Sequence, residues 1–159
     1  MRKRVNRKLL LEKLSMLDYD AAIDEILKVC DSQSGDMIAD SPAKVWGYLR
    51  KFRSRKKEHF IAVYVNNRNL VLGFDVVSVG TISEAIVHPR EIFRSAIVAL
   101  ASGIILAHNH PSGTVTPSAE DIAVTKRIEE AGRIVGIKLI DHVVMSSRSY
   151  LSMREGEYF

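Results

Sequence analysis

The order of apolar and polar residues predicts alternating strands and helices over the last two thirds of the chain. Apolar residues at three- and four-residue spacing predict helices after Ser41, after His88 and after Ser118. This order indicates an α/β or α+β sandwich, with one mixed sheet between helices. Apolar runs of strand length, rich in β-branched and aromatic residues, predict strands at Phe60–Val65, Leu70–Phe74, Val76–Ile82, Ile104–Ala107 and Lys138–Met145.

Residues with special backbone preferences predict where these helices begin and end. Ser41 suits the N-cap of the first helix, because its side chain can accept a hydrogen bond from a free backbone N–H. The second helix is expected to end at Ser102–Gly103, where glycine can take the left-handed conformation. The third is expected to begin at Ser118, with Asp121 as a capping-box-like acid, and to run to about Gly136.

Residues 1–37 are predicted to form a short helical extension ahead of a domain that spans residues 38–159. Two helices are expected at Leu9–Leu17 and Ala21–Cys30, before a turn-rich stretch at residues 31–35. The longest apolar runs are far shorter than the roughly 20 residues that a membrane helix needs. The apolar stretch after the basic start is also too short for a signal peptide. We therefore expect a soluble, cytoplasmic protein without membrane contacts.

Positive charge is concentrated in the first third of the chain. Residues 1–57 carry 14 Lys or Arg against 8 Asp or Glu, whereas residues 58–159 carry 9 against 11. The excess lies in two runs, Met1–Lys8 and Arg50–Lys57, and six of the eight residues in the second run are basic. Such a run can bind nucleic-acid phosphates weakly and without sequence preference. The alternative is a solvated helix end, where cations are favourable.

The candidate chemistry lies where the strand Ile104–Ala107 runs into a loop rich in Pro, Gly and Thr. Side chains alternate along a strand, so His108 and His110 are expected to point to the same side, where both can hold one metal ion. Asp121 is expected at the start of the next helix, where its carboxylate can join them. The single cysteine, Cys30, excludes a cysteine-rich zinc site within the chain. Two nitrogens and one oxygen leave a fourth zinc position for water, as in catalytic sites.

Other interpretations of these histidines explain less of the sequence. Two histidines at a strand end are most often surface residues. HNH nucleases disperse their named residues over a longer unit, so the tripeptide His108-Asn109-His110 carries no weight for that class. Amidohydrolase barrels need about 250 residues. A zinc deaminase is disfavoured, because deaminases use His/Cys/Cys or Cys₃ sites and Cys30 lies outside any such pattern.

A longer pattern around the histidines resembles the JAMM (MPN+) metalloprotease motif. His108-X-His110 is followed after seven residues by Ser118 and after two more by Asp121, which matches the motif at each specified position. Four residue types at fixed spacing are a far more specific signal than the histidine pair. The resemblance implies that the two histidines and the aspartate hold one Zn²⁺ per chain.

Three further blocks are similar to those of RadC-family proteins, at residues 83–93, 106–113 and 141–144. The likeness covers about residues 38–159. It implies a three-layer, cytidine-deaminase-like MPN fold and hydrolysis of a peptide or isopeptide bond in an unknown substrate. RadC proteins usually carry an upstream helix-hairpin-helix module. No such module is visible in residues 1–37, so a short form is expected.

The resemblance assigns the general base to Glu58. JAMM proteins place this glutamate beside the first core strand, and Glu58 stands just before the strand Phe60–Val65. A carboxylate there can take a proton from the attacking water and return it to the leaving amine. The alternative is a surface glutamate paired with Lys56 or Lys57. Glu84 is the second candidate for the base.

Ser118 and His142 each keep two interpretations. Ser118 can donate a hydrogen bond to the developing oxyanion, which is worth about 2.7–4 kcal/mol. It can also be a plain N-cap, worth about 1 kcal/mol. His142 is either a satisfied core histidine or a partner of a metal ligand.

Two function classes follow from the sequence. The first is a zinc-dependent hydrolase, in which Glu58 activates zinc-bound water against a carbonyl and Ser118 stabilises the oxyanion. The second is a nucleic-acid-associated module of DNA repair or recombination, in which the zinc is structural or vestigial and residues 50–57 bind phosphates. JAMM relatives often use partners or oligomers to shape the substrate groove, so homo-oligomerisation is also among the expectations.

Overall fold

Three helices and five strands make up the part of the chain that the structure, a computed structural model, describes, residues 37–80 and 87–159. The elements in chain order are α1 (Pro42–Tyr48), β1 (His59–Val65), β2 (Val71–Val79), α2 (Pro89–Val98), β3 (Gly103–Asn109), α3 (Ala119–Val135), β4 (Lys138–Met145) and β5 (Tyr150–Ser152). The two helices predicted within residues 1–37, the first basic run and Glu84 lie outside these residues. None of the helices described is long and apolar enough to cross a membrane.

The five strands form one mixed sheet in the order β2-β1-β3-β4-β5. Strands β3 and β4 run parallel, and helix α3 lies in the crossover between them, as a parallel pair requires. The other neighbouring pairs are antiparallel. Strand β3 is central and each of its residues is buried, which explains its nearly continuous apolar run. The predicted mixed sheet is confirmed.

Side chains alternate along β1 between two apolar layers. Phe60, Ala62 and Tyr64 pack on the side of α2 and α3. Ile61 and Val63 pack on the opposite side, against the layer that includes α1. The sheet therefore has helices on both faces, which confirms the predicted sandwich.

Strand β2 corrects one prediction. It is a single strand, where two strands were predicted over Leu70–Phe74 and Val76–Ile82. The ladder with β1 passes over two residues of β2: Val77, between the partners of Phe60 and Ile61, and Leu72, between the partners of Tyr64 and Val65. Asp75, where the sequence pattern suggests a break, pairs in regular register with Ala62, so the strand continues through it.

One predicted helix end needs correction, and one predicted cap lacks its hydrogen bond. Helix α2 ends at Val98, before Ser102–Gly103, and Leu100 takes the positive φ of 52° that was expected of glycine. Gly103 instead begins β3, where a Cβ atom would lie 2.7 Å from Cδ1 of Ile140, so glycine serves close packing there. Ser41 occupies the N-cap of α1, but its side chain makes no capping hydrogen bond.

Gly132 of α3 is expected to be intolerant of a side chain. A Cβ atom there would lie 2.5 Å from the carbonyl oxygen of Ile137 and 3.3 Å from Cζ of Phe93. Gly132→Ala should therefore lower the free energy of unfolding by about 1–3 kcal/mol in denaturant titrations. Gly47→Ala in α1 is the matched control, because a Cβ atom there would meet nothing within 4 Å beyond its chain neighbours and its own helix backbone, and alanine favours helix by up to about 1 kcal/mol. Equal stability of the two variants would contradict the close approach.

Candidate metal centre

Three side chains meet at the end of the sheet where β3 runs out. Nε2 of His108 lies 2.9 Å from Nε2 of His110 and 3.3 Å from Oδ1 of Asp121. Nε2 of His110 lies 3.5 Å from Oδ2 of the same carboxylate. The atoms that could bind an ion all lie within 4.8 Å of one another. The structure thus brings the three predicted ligands together as a group that could hold a metal ion.

Strand β3 positions both histidines. His108 is fully buried and pairs with Phe60 of β1, whose ring stacks on the imidazole at 6.2 Å. His110 follows the strand, and its backbone N–H donates to the carbonyl oxygen of Met145 at 2.8 Å. Nδ1 of His110 lies 3.1 Å from the carbonyl oxygen of Thr114. A carbonyl oxygen only accepts, so Nδ1 carries a proton and Nε2 is the ring atom available to an ion.

Asp121 is held by the capping box that begins α3. The backbone N–H and the hydroxyl of Ser118 both donate to Oδ2 of Asp121 at 2.8 Å. The backbone N–H of Asp121 donates to Oγ of Ser118 at 3.1 Å. These contacts confirm the predicted capping box and leave Oδ1 facing His108. Ser118 is exposed, and its oxyanion role stays a prediction.

The donor set is chemically suited to zinc. Tetrahedral zinc binds imidazole nitrogen and carboxylate oxygen at about 2.0–2.2 Å, which places neighbouring donor atoms roughly 3.3 Å apart. Nε2 of His108 lies 2.9 Å from Nε2 of His110 and 3.3 Å from Oδ1 of Asp121, and both distances are near that value. The 3.5 Å contact of His110 is with the other carboxylate oxygen, Oδ2. Two imidazole nitrogens 2.9 Å apart also require a proton or a cation between them, because two lone pairs would otherwise face each other. Three protein donors leave one tetrahedral position for water.

Burial and mutual hydrogen bonds shift the titration of these groups. Burial alone would raise the pKa of Asp121, but hydrogen bonds with His108 and His110 outweigh it and hold that pKa far below its usual range. The hydrogen bond with Asp121 raises the pKa of His110 above its ordinary 6.5. His142 lies behind His108, and its complete burial keeps its pKa well below the ordinary value. His142 therefore contacts a candidate ligand, which matches one of its two predicted roles.

Metal affinity is expected to fall as the pH falls through the raised pKa of His110. A proton on Nε2 of His110 must leave before an ion binds, so affinity should drop about tenfold per pH unit below that pKa. The decline should begin above pH 6.5, because Asp121 raises the pKa. Chelator-competition titrations with Zn²⁺ between about pH 5.5 and about 8.5 measure it. An affinity independent of pH across this range would contradict a role for Nε2 as a ligand.

The stability of the chelator-treated protein should instead fall as the pH rises. A folded-state pKa above the unfolded value means that protonation of His110 stabilises the fold. This contribution is fully present below about pH 6.5 and is lost as the pH rises through the raised pKa. Thermal unfolding of chelator-treated wild type and His110→Gln isolates it, because the variant lacks the titrating group.

Glu58 lies near the three candidate ligands and is not part of that group. It precedes β1 by one residue, and Phe60, two residues on, pairs with His108. The half-buried carboxylate is near enough for its charge to add to the raised pKa of His110. Among the described residues, no ion pair joins Glu58 to either neighbouring lysine, which was the alternative interpretation. Its role as the base stays a prediction.

Asn109 holds the segment that carries Glu58. Its Oδ1 accepts the N–H of His59 at 2.9 Å, and its Nδ2 donates to the carbonyl oxygens of Arg55 and Lys57 at 3.2 and 3.1 Å. The side chain is fully buried, and its three hydrogen bonds bracket the glutamate. Sequence patterns assigned no role to this residue. The available signal was an amide embedded in a buried strand end between two candidate ligands.

The basic run at residues 50–57 follows α1 and leads to Glu58. Two of its cations lie against aromatic rings of the same chain. Nζ of Lys51 is 4.7 Å from the Phe74 ring centre, and the guanidinium of Arg53 is 3.8 Å from the Trp46 ring centre. These cations therefore have intramolecular partners. Nucleic-acid binding by the run stays a prediction.

Known proteins resemble this chain over most of its length. Residues 39–158 match the family model described as the RadC-like JAB domain. A UPF0758 protein of Staphylococcus carnosus is 47% identical over 112 residues, which are 70% of this chain and 50% of the relative. A UPF0758 protein of Rubrobacter xylanophilus is 48% identical over 122 residues, which are 76% of this chain and 53% of the relative. The chain spans about half the length of the curated relatives it matches.

Proposed function

The chain belongs to the RadC-like JAB domain family, and on that premise we propose that it is a zinc-dependent hydrolase of peptide or isopeptide bonds. One Zn²⁺ per chain is held by His108, His110 and Asp121. The substrate is a peptide or an isopeptide-linked protein. The activity belongs to the domain that the described residues form.

The convergence of two imidazoles and one carboxylate carries the proposal. The three donors come from a strand end, the residue after it and the first turn of a helix, and they face one point. Buried histidines beside a buried carboxylate can also form a purely structural hydrogen-bonded cluster. Open tetrahedral coordination favours the catalytic alternative, because three protein donors leave room for water.

The chain's own residues supply the remaining chemistry. When bound, zinc provides a Lewis acid for the carbonyl and lowers the pKa of bound water to about 7. Glu58 takes the proton of the attacking water and returns it to the leaving amine nitrogen. Asn109 holds the backbone on both sides of Glu58, which limits the positions its carboxylate can take.

Ser118 is the proposed donor to the oxyanion. Its hydroxyl is bonded to Oδ2 of Asp121 and would turn from that oxygen to the substrate. The backbone N–H of Ser118 also donates to Oδ2, so the Asp121 carboxylate stays oriented when the hydroxyl turns towards the substrate. N-cap and oxyanion donor are therefore compatible roles for this residue.

Metal analysis and a substrate screen test the proposal together. Purified protein should contain about one zinc per chain and should cleave members of a peptide and isopeptide library. Chelation should abolish cleavage, and added Zn²⁺ should restore it. The double variant His108→Ala/His110→Ala should lose both the metal and the activity.

His88→Ala is the matched control, because His88 lies at the N-cap of α2 and is not one of the three clustered ligands. It should keep the metal and the activity. Wild-type protein that binds no zinc at neutral pH would overturn the proposal. Zinc retained in the double variant would place the metal elsewhere.

A further inference from the structure

Two buried polar side chains behind the metal ligands have no part in the mechanism above. Nδ1 of His108 lies 2.8 Å from Nε2 of His142, and Nδ1 of His142 lies 2.6 Å from Oγ1 of Thr125. Oγ1 of Thr125 lies 2.5 Å from the backbone carbonyl oxygen of Asp121. The third neighbour of Oγ1 of Thr125, Sδ of Met153 at 3.8 Å, is a far weaker acceptor than the carbonyl oxygen. His142 and Thr125 are both fully buried, so each depends on these partners.

The carbonyl at one end sets the direction of each hydrogen bond. A carbonyl oxygen only accepts, so Thr125 gives its single hydroxyl hydrogen to Asp121. No hydrogen is left for His142, so Nδ1 of His142 donates to Thr125. Nε2 of an uncharged His142 is then an acceptor, and Nδ1 of His108 donates to it. His108 therefore keeps a hydrogen on Nδ1, so its Nε2, which faces Asp121, is the ring atom whose hydrogen would give way to an ion.

A charged His142 would reverse this order and is disfavoured by its surroundings. Among the residues that the structure describes, its ring nitrogens contact an imidazole and a hydroxyl, and its ring centre lies 5.4 Å from that of Phe60. An imidazolium buried there would lose its hydration, and the Asp121 carboxylate, which favours the charged form, contacts neither of its ring nitrogens. The uncharged ring with hydrogen on Nδ1 satisfies both neighbours.

We propose that His142 and Thr125 are positioning residues that lock His108 in the tautomer with Nε2 free to bind the metal. The inference rests on the proposed metal site. The chain of hydrogen bonds starts at one ligand side chain and ends on the backbone of another, Asp121. It therefore also fixes how His108 and Asp121 face each other, with helix α3 as the rigid support.

Metal affinity in Thr125 variants tests this relay, the hydrogen-bonded chain from His108 through His142 and Thr125 to the carbonyl oxygen of Asp121. Thr125→Val keeps the side-chain volume and removes the hydroxyl, so His142 can carry its hydrogen on Nε2 instead of Nδ1. Nδ1 of His108 must then accept that hydrogen, and His108 takes the tautomer with hydrogen on Nε2. We expect the Zn²⁺ dissociation constant to rise by about 10–100-fold. Thr125→Ser restores the hydroxyl and should return affinity to near the wild-type value. Thr116→Val, which removes an exposed hydroxyl outside the relay, should leave affinity unchanged.

Imidazole ¹⁵N NMR of the chelator-treated protein reads the tautomers directly. Wild type should show hydrogen on Nδ1 of both His108 and His142, and Thr125→Val should lose this signature at His108. A loss of packing alone would not change the tautomer. Hydrogen on Nε2 of His142 in wild type would overturn the relay, and so would wild-type zinc affinity in a folded Thr125→Val. Absence of zinc binding in wild type would instead overturn the proposed function. If Thr125→Val failed to fold, the tautomer measurement on wild type would still decide the relay.

Discussion

Asp121→Asn is expected to abolish stoichiometric zinc binding while the protein stays folded. The substitution removes the only negative charge among the three clustered ligands and can turn an amide N–H₂ towards the imidazoles. Zinc affinity should fall by at least about 100-fold, which exceeds the usual effect of losing an outer hydrogen-bonding partner. The measurement is chelator competition with Zn²⁺ at neutral pH.

The same variant should stay folded but be less stable than wild type at neutral pH, because the ionised carboxylate that interacts with His108 and His110 is lost. The asparagine oxygen can still accept the N–H of Ser118, so the capping box at the start of α3 is weakened by about 1 kcal/mol at most. Glu120→Gln is the matched control, because it removes a charge from the same helical turn at an exposed position. It should keep wild-type zinc affinity. Undiminished affinity in Asp121→Asn would mean that the ion has another set of ligands.

Glu58→Gln is expected to separate metal binding from catalysis. Glutamine keeps the size of the side chain but cannot take a proton, so turnover of the best library substrate should fall by about 10²–10⁴-fold. Zinc content should stay at about one per chain, because Glu58 is not one of the clustered ligands. Paired measurements of metal content and of kcat decide the outcome.

Two glutamates serve as comparisons for Glu58. Glu91→Gln changes an exposed carboxylate on α2 that contacts Arg90, and it should leave both metal content and turnover unchanged. Glu84→Gln tests the second candidate for the base. Retained activity in Glu58→Gln together with lost activity in Glu84→Gln would move the role to Glu84.

The grouping of the three candidate ligands was predictable because it depends on short-range rules. A period of two along a strand puts His108 and His110 on one side, and the structure shows this. The capping box is a four-residue pattern, and it places Asp121 in the first helical turn as predicted. The resemblance to RadC-family proteins is confirmed by the match over residues 39–158.

The partners of these ligands were not predictable, because they lie far away in sequence. His142 is 34 residues from His108, and Asn109 is 52 residues from Lys57. Their contacts depend on strand order and register, which no local pattern contains.

A register shift in β4 shows why local sequence patterns could not place His142 against His108. Ile104 pairs with Leu139 and Ile105 pairs with Asp141, so the ladder passes over Ile140. Leu139 packs in the layer that includes α2 and α3, and the extra residue brings His142 to that same side, against His108. Regular alternation would have sent His142 to the other face.

The amino-acid order therefore encodes the candidate ligands, while the tertiary structure determines their surroundings. Ligand positions follow from backbone geometry within a few residues, through strand alternation at His108 and the helix cap at Asp121. The tautomer of His108 and the placement of Glu58 depend on pairings between distant strands. Such pairings are selected by the packing of the whole sheet against both helical layers, because a one-residue slip would turn buried side chains to the wrong face.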